Sequence, residues 1–149
     1  MNPVGDPYEI SLDPTRVDVE RVHGWLRESY WSPKVRRDVV ERAIENSIVA
    51  SAFEIASEAQ VGIARIITDQ ATFAWLCDVY VDEAHRGRGI SQRMLTALIA
   101  DPRLQGLRRW MLGTRDAHEL YRKVGFVPLV DPTRWMEWRP PMDGWQERD

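Results

Sequence analysis

The chain has 149 residues, of which 44% are hydrophobic and 29% charged, and its net charge is −3. This length predicts one domain over residues 1–149 with its core at about 8–139, and the hydrophobic fraction excludes a wholly disordered chain. No apolar run is long enough to cross a membrane, and the N-terminal residues do not resemble a secretory signal. The single cysteine, Cys77, excludes an internal disulfide and a zinc finger, which favours a cytoplasmic location.

Charge is unevenly distributed along the chain. Residues 86–123 carry nine basic and three acidic side chains, whereas the residues on either side are net acidic. One basic stretch in an acidic chain favours a local anion site over a general nucleic-acid surface. Ordinary solvated arginines would give the same count, so composition alone leaves both interpretations open.

The first half of the chain predicts one strand, two helices and a three-stranded meander. Apolar residues recur at helical spacing in two early segments. After Ser47, β-branched and aromatic runs separated by short polar gaps predict antiparallel strands. The predicted elements are a strand at 8–12, helices at 17–30 and 34–46, and strands at 47–55, 60–68 and 71–81.

The second half predicts alternating helices and strands. Helical spacing resumes at Ile90 and is ended by Asp101-Pro102. The order of elements predicts an α+β fold with a central mixed, mostly antiparallel sheet flanked by helices. The further elements are a strand at 108–113, a helix at 117–124, closing strands at 126–130 and 134–138, and a mobile tail at 140–149.

Residues 85–92, with the sequence His-Arg-Gly-Arg-Gly-Ile-Ser-Gln, join a predicted strand to a predicted helix. Glycines allow close backbone approach to a ligand, and a helix start offers unpaired N–H groups with a positive dipole end. Arg86 and Arg88 add full charge, so the loop predicts a diphosphate cradle. A Walker loop is excluded because Gly-Lys-Ser/Thr is absent, and a dinucleotide fingerprint because Gln92 replaces its third glycine. A simple basic turn remains an alternative.

Two motifs in this region resemble those of the GCN5-related N-acetyltransferases (GNAT family). Arg86-x-x-Gly89-x-Ser91 resembles the family's Arg/Gln-x-x-Gly-x-Gly/Ala signature, which binds the pyrophosphate of acetyl-CoA. Residues 117–126 (Ala-His-Glu-Leu-Tyr-Arg-Lys-Val-Gly-Phe) resemble its Ala-x-x-Leu-Tyr-x-x-x-Gly-Phe segment. The predicted element order agrees with the family's fold over about residues 8–139.

The resemblance implies an enzyme that uses acetyl-CoA as co-substrate and needs no metal. It would acetylate a primary amine of a small molecule or peptide by direct attack, with Tyr121 as the acid for the leaving thiolate. In relatives, the strand that corresponds to Val79–Val81 contains a β-bulge, which frees backbone groups for the ligand. This sequence does not itself reveal a bulge. Two residues depart from the family pattern. Ser91 stands where the pattern has Gly or Ala, and Thr114 stands where many relatives have Asn. The implied cofactor-binding residues are Val79, Tyr80, Val81, Arg86, Gly87, Arg88, Gly89, Ile90, Ser91, Thr114, His118 and Tyr121.

The acceptor side is predicted from residue types. Asp78 interrupts an apolar run, which indicates either a catalytic base or amine anchor or a structural hydrogen-bonding role. Tyr30 and Trp31 are candidates for an aromatic acceptor wall. The three histidines lack metal-ligand spacing, so we expect no metal.

Two other classes of protein compete with the enzyme. The first is a non-catalytic, regulatory acyl-CoA-binding module, which would keep the loop but lose turnover. The second is a basic nucleic-acid-binding domain, disfavoured by the net charge of −3 and the lack of a recognised motif. We therefore expect no nucleic-acid or membrane partner, and a monomer or a homodimer.

Overall fold

The computed structural model describes residues 4–141 and 144–149. Five strands form one sheet in the order β1-β2-β3-β4-β5, with β1 to β4 antiparallel and β5 parallel to β4. This confirms the predicted α+β class with a mixed, mostly antiparallel sheet. The elements are β1 (Tyr8–Ser11), α1 (Val19–Arg27), α2 (Arg37–Glu45), β2 (Ile48–Glu54), β3 (Gln60–Thr68), β4 (Phe73–Val81), α3 (Ile90–Ile99), β5 (Arg109–Met111) and α4 (His118–Lys123).

Helices cover both faces of the sheet, and each face has its own apolar cluster. One cluster packs the buried side of α3 against the sheet through Met94, Leu95 and Leu98. The other packs α1 and α2 against the opposite face, with Ile63 of β3 at its centre. Burial of these side chains stabilises the three layers. No helix in the described ranges is both long and apolar enough to span a membrane.

The two early helices are shorter than predicted because specific residues fix their starts. Asp18 caps α1, and its side chain accepts a hydrogen bond from the Arg21 N–H at 3.1 Å. Lys34 has a left-handed backbone with φ +58°, which is incompatible with a helix interior. The second helix therefore begins only at Arg37.

The two predicted closing strands are absent from the described residues. Only a short 3₁₀ turn, Pro132–Arg134, follows α4, and residues 127–141 are exposed throughout. Pro128 and Pro132 lack the N–H that a sheet ladder needs, and proline also restricts the residue before it. The alternating apolar pattern at 126–130 and 134–138 thus predicted strands that this chain does not form.

The sequence predicts a mobile tail at 140–149, but residues 144–149 are hydrogen-bonded to the connection between α1 and α2. The Arg36 N–H donates to the Trp145 carbonyl at 2.9 Å, and the Glu147 N–H donates to the Lys34 carbonyl at 2.7 Å. Glu147 also forms an ion pair with Arg27 at 2.7 Å. The connection between α1 and α2 has backbone groups at Lys34 and Arg36 that lie outside both helices, and the tail supplies their partners. Residues 142–143 lie outside the described part of the chain.

We predict that Leu98→Ala lowers the free energy of unfolding by about 2–5 kcal/mol, because it leaves a cavity between α3 and the sheet. The adjacent Ile99 is exposed, so Ile99→Ala should cost less than about 1 kcal/mol. Urea denaturation of both variants measures the difference. Equal destabilisation would contradict the assigned buried face of α3.

Candidate active site

A β-bulge distorts the middle of β4. In the β3–β4 pairing, Arg65 lies opposite Cys77 and Ile63 lies opposite Tyr80. One residue of β3 therefore faces two residues of β4, which defines a bulge. Asp78 adopts φ +52° at this point, a conformation that Asp and Asn tolerate better than most residues.

The bulge changes which side chains face the core. Ala74 and Leu76 before it, and Val79 and Val81 after it, pack in the same apolar cluster, although strict alternation would place the two pairs on opposite faces. Asp78 is the extra residue, and the ladder is interrupted beside it. Its side chain turns away from this cluster to the face that α1 and α2 cover.

The Asp78 carboxylate joins the sheet to the α1–α2 connection. Its Oδ1 accepts a hydrogen bond from the Trp31 indole N–H at 2.9 Å, and its Oδ2 accepts one from Arg65 Nε at 2.8 Å. Arg65 also donates to the Ser47 hydroxyl at 3.0 Å. Both charged side chains are largely buried, with exposed fractions of 9% for Asp78 and 14% for Arg65. Both carboxylate oxygens of Asp78 are therefore engaged in hydrogen bonds, and Trp31 is held beside the bulge.

A cleft opens where β4 and β5 separate. The two strands pair only from Phe73–Arg109 to Trp75–Met111, whereas β4 continues to Val81. The cavity between the diverging chains has a volume of about 630 Å³. Its lining residues include Tyr30, Trp31, Cys77, Asp78, Val79, residues 113–117 and Tyr121.

Tyr30 connects the two walls of this cleft. Its hydroxyl accepts a hydrogen bond from the Arg115 N–H at 3.2 Å, and the Arg115 guanidinium carbon lies 3.8 Å from the centre of the Tyr30 ring. The Trp31 ring meets Tyr30 edge to face, with 5.1 Å between ring centres. An aromatic wall with one cation stacked upon it results.

Tyr121 lies on α4 at the opposite wall. The Thr114 hydroxyl closes the preceding turn by accepting a hydrogen bond from the N–H of Ala117 at 3.0 Å, and Ala117 is itself the N-cap residue of α4. The Tyr121 ring packs edge to face against Phe126, with 6.1 Å between centres. Burial, with smaller contributions from Tyr30 and Asp116, raises the pKa of Tyr121 to about 12.

Cys77 lies in the same cleft and is also buried in part. Burial raises the pKa of its thiol to about 12, so the sulfur remains protonated at neutral pH. A neutral thiol is a poor nucleophile, so Cys77 acts in the cleft wall as a small apolar side chain.

The glycine-rich loop precedes α3 as predicted. Gly87 and Gly89 have φ +78° and +75°, and Gly89 is the N-cap residue. Arg86 Nε donates to the Val81 carbonyl at 2.9 Å, and Arg88 donates to the Tyr8 hydroxyl at 2.8 Å. The first N–H groups of α3, which include those of Ile90 and Ser91, have no acceptor within the helix. Arg86 therefore braces the loop, while the helix start and Arg88 supply positive potential.

The remaining candidates from the sequence fall around these two regions. His118 is exposed and lines a second cavity of about 580 Å³ together with Thr114 and Tyr121. The Tyr80 ring stacks on Trp25, with 5.2 Å between centres, and the Val81 side chain is buried in the core. At Tyr80 and Val81, only backbone groups remain candidates for ligand contact.

Arg65 and Arg115 are site residues that the sequence interpretation missed. Arg65 stands inside an apolar strand, as Asp78 does, and the two opposite charges in neighbouring strands were a usable signal for a pair. Arg115 has no comparable signal because it lies in a polar turn. Among the described residues, no three His, Cys, Asp or Glu side chains are grouped so that they could hold a metal ion.

The chain is similar to known proteins in both sequence and fold. A family model described as an acetyltransferase (GNAT) domain matches residues 45–128. A protein of Gibberella zeae, named for an inferred acetyltransferase activity, is 31% identical over 137 residues, which cover 78% of this chain and 76% of that protein. The chain therefore belongs to the GCN5-related N-acetyltransferase family and is an acetyltransferase, as the two motifs predicted.

Solved structures agree with this assignment. The crystal structure of an inferred GNAT-family acetyltransferase from Xanthomonas campestris pv. campestris has 41% sequence identity and a TM-score of 0.85, covering 90% of this chain and 94% of that chain. A GNAT acetyltransferase from Elizabethkingia anophelis, solved with acetyl-CoA bound, has 15% identity and a TM-score of 0.62, covering 82% and 77%. The first match confirms the GNAT fold, and the second supports the fold alone.

We predict that Asp78→Ala lowers the free energy of unfolding by about 3–5 kcal/mol, because it leaves the buried Arg65 guanidinium without its partner. Asp78→Asn should cost less, about 1–3 kcal/mol, since asparagine tolerates the left-handed backbone and can still accept from Trp31. Asp116→Ala is the control, because the Asp116–Arg115 pair is exposed and should contribute at most about 1 kcal/mol. Similar denaturation midpoints for all three variants would contradict a stabilising role for the hydrogen bonds that Asp78 accepts from Trp31 and Arg65.

Proposed function

We propose that this acetyltransferase transfers the acetyl group of acetyl-CoA directly to a primary amine of a small molecule or peptide, in the cytoplasm. The observation that carries the proposal is the cleft between β4 and β5, with the glycine-rich loop leading into α3 on one side and Tyr121 facing an aromatic wall within it. The single cysteine in the cleft supports direct attack over an acyl-enzyme, because its thiol stays protonated.

The cofactor would be bound mainly by backbone groups. The pyrophosphate is assigned to the start of α3, where the N–H groups of Gly87 to Ser91 and the helix dipole favour an anion. The pantetheine and thioester are assigned to the open edge of β4, at Val79–Val81. There the bulge interrupts the ladder, so an N–H can stabilise the developing oxyanion.

The acceptor would enter along the wall formed by Tyr30 and Trp31. Aromatic rings suit an apolar or cationic body beside the reacting nitrogen. Both Asp78 oxygens accept hydrogen bonds and Arg65 balances the charge, so we assign Asp78 the positioning of Trp31. The amine proton then leaves to water in the cleft. The alternative, proton transfer to Asp78, requires one of its partners to release an oxygen.

Tyr121 is assigned to the leaving thiolate. A thiol has a pKa of about 8.5, whereas the pKa of Tyr121 is raised to about 12. Complete transfer of the phenolic proton to a free thiolate is therefore uphill by roughly 5 kcal/mol. The phenol thus acts mainly as a hydrogen-bond donor to the sulfur in the transition state, and the proton reaches the thiolate from water after departure.

We predict that Arg88→Ala weakens acetyl-CoA binding about 10- to 100-fold, as expected for one charge-assisted contact of roughly 1.5–3 kcal/mol. Arg108→Ala is the matched control, because this exposed arginine belongs to the same basic stretch but lies at the approach to β5. Titration calorimetry measures both affinities. Equal affinity in the two variants would remove the loop from the cofactor site.

We predict that Tyr121→Phe lowers kcat by about 10²-fold and leaves acetyl-CoA affinity unchanged. Because the raised pKa keeps the phenol protonated at alkaline pH, the wild-type rate with an alkylamine should keep rising to about pH 10 as the amine, whose pKa is about 10, loses its proton. Background-corrected thiol release measures the profile. A rate that falls between about pH 9 and pH 10, in a manner absent from Tyr121→Phe, would contradict the raised pKa.

An amine panel tests the function as a whole. Thiol release from acetyl-CoA should be stimulated by a primary amine with an apolar or aromatic body, and Trp31→Ala should raise the KM of that amine while the KM of acetyl-CoA holds. The panel should include alkylamines, arylalkylamines, amino sugars and peptides with free amines. Tight acetyl-CoA binding without release across the panel would favour the non-catalytic acyl-CoA-binding module instead.

A further inference from the structure

A buried tyrosine of the first strand contacts an arginine of the glycine-rich loop. Tyr8 is 3% exposed, and its ring packs in the apolar cluster between α3 and the sheet. Its hydroxyl lies 2.8 Å from His85 Nδ1 and accepts a hydrogen bond from Arg88 at 2.8 Å. A side chain of β1 thus meets two side chains of the loop that leads into α3.

The three side chains have defined donor and acceptor roles. A guanidinium can only donate, so the Tyr8 oxygen is the acceptor toward Arg88. The hydroxyl hydrogen is then left to donate to Nδ1 of His85, which places the hydrogen of the neutral imidazole at Nε2. The Glu54 carboxylate is 3.9 Å from the same nitrogen, beyond hydrogen-bonding distance, so it does not compete for Nδ1. Because hydrogen bonds in a chain polarise one another, His85 strengthens the bond between Tyr8 and Arg88.

The position of Tyr8 does not depend on its hydroxyl. Its N–H donates to the Asp6 carboxylate at 3.0 Å, and its carbonyl accepts a hydrogen bond from Arg93 of α3 at 3.4 Å. Arg93 also forms an ion pair with Asp6 at 2.9 Å. These contacts tie β1 to α3, so loss of the hydroxyl alone should leave the strand in place.

Arg88 keeps most of its hydrogen-bonding capacity for a ligand. It is exposed, and within residues 4–141 and 144–149 its one hydrogen-bond partner is the Tyr8 hydroxyl. Its guanidinium carbon lies 5.9 Å from the Tyr8 ring centre. A free exposed arginine loses much rotamer entropy when it binds an anion, and an arginine that is already held loses less.

We propose that Tyr8 and His85 are positioning residues for the acyl donor: the Tyr8 hydroxyl, oriented by His85, holds Arg88 beside the start of α3, where the guanidinium meets the diphosphate. Both residues act through Arg88. The inference rests on the proposed assignment of the diphosphate to this loop. It gives β1, at the edge of the sheet opposite β5, a part in acyl-donor affinity.

A double-mutant cycle on acetyl-CoA affinity, measured by titration calorimetry, tests the proposal. Tyr8→Phe keeps the buried ring and removes the hydroxyl, and it should weaken binding about 3- to 10-fold, the order expected for ordering one long side chain. In the Arg88→Ala background the same substitution should change affinity less than about 2-fold, because the group that the hydroxyl positions is gone. Thermal unfolding of each variant shows whether the fold is kept.

Substitutions of His85 provide a second measurement that leaves the core intact. His85→Ala should weaken acetyl-CoA binding about 2- to 10-fold, as expected for one hydrogen bond. His85→Asn should recover most of this loss, because its amide oxygen can accept in place of Nδ1. His23→Ala is the matched control: His23 contacts the Val35 carbonyl at 2.9 Å on the face covered by α1 and α2, so affinity should not change.

The outcomes separate this proposal from the one on which it rests. Equal acetyl-CoA affinity in wild type and Arg88→Ala overturns both, because the loop then does not bind the diphosphate. If Arg88→Ala weakens binding as expected but Tyr8→Phe has the same effect in both backgrounds, the positioning role alone is overturned. Equal losses in His85→Asn and His85→Ala would show that Nδ1 does not orient the hydroxyl, which also contradicts the proposal.

Discussion

Both halves of the candidate site depend on the two hydrogen bonds that the Asp78 carboxylate accepts. A residue with positive φ inside a strand is strained, and here two hydrogen bonds from other elements hold it in place. Arg65 ties the bulge to β3, and Trp31 ties it to the connection between α1 and α2. One side chain thus fixes the interrupted ladder proposed to meet the thioester and the aromatic wall proposed to meet the amine.

Charge is distributed differently in the glycine-rich loop and in the cleft. Full positive charge and a helix start are concentrated at the glycine-rich loop, where a diphosphate is proposed to bind. Around the cleft, by contrast, the buried charges of Arg65 and Asp78 cancel, and burial keeps Tyr121 and Cys77 protonated. Such a cleft favours neutral reactants, because a charged amine gains little there to offset its lost hydration. Deprotonation of the acceptor would therefore accompany or precede its full entry.

Sequence patterns predicted the parts of the fold that depend on local spacing. The loop and the Tyr121 motif were recognisable because each is contiguous and its chemistry resides in a short segment. The bulge at Asp78 was not, since it depends on how β4 pairs with β3. The contact between Arg65 and Asp78 left a signal, two opposite charges inside neighbouring apolar strands, which the sequence interpretation did not use. The start of α2 was misplaced because the left-handed backbone of Lys34 leaves no hydrophobic signature.

The predictions for residues 126–149 differ from the structure for another reason. Alternating apolar residues at 134–138 are typical of a strand, but a strand requires a paired neighbour, and periodicity does not provide one. The acidic tail resembled a mobile terminus by composition. Its order comes instead from backbone bonds to Lys34 and Arg36, which no local pattern encodes.

The docked tail has a consequence for how the choice of amine could change. Trp145 lines a cavity of about 280 Å³ together with Trp31 and Asp78. Residues 144–149 thereby support the wall proposed for the acceptor. Exposed segments tolerate substitution at little cost to the core. Inherited substitutions in residues 144–149 would therefore alter the choice of amine while the handling of the acyl donor stays constant.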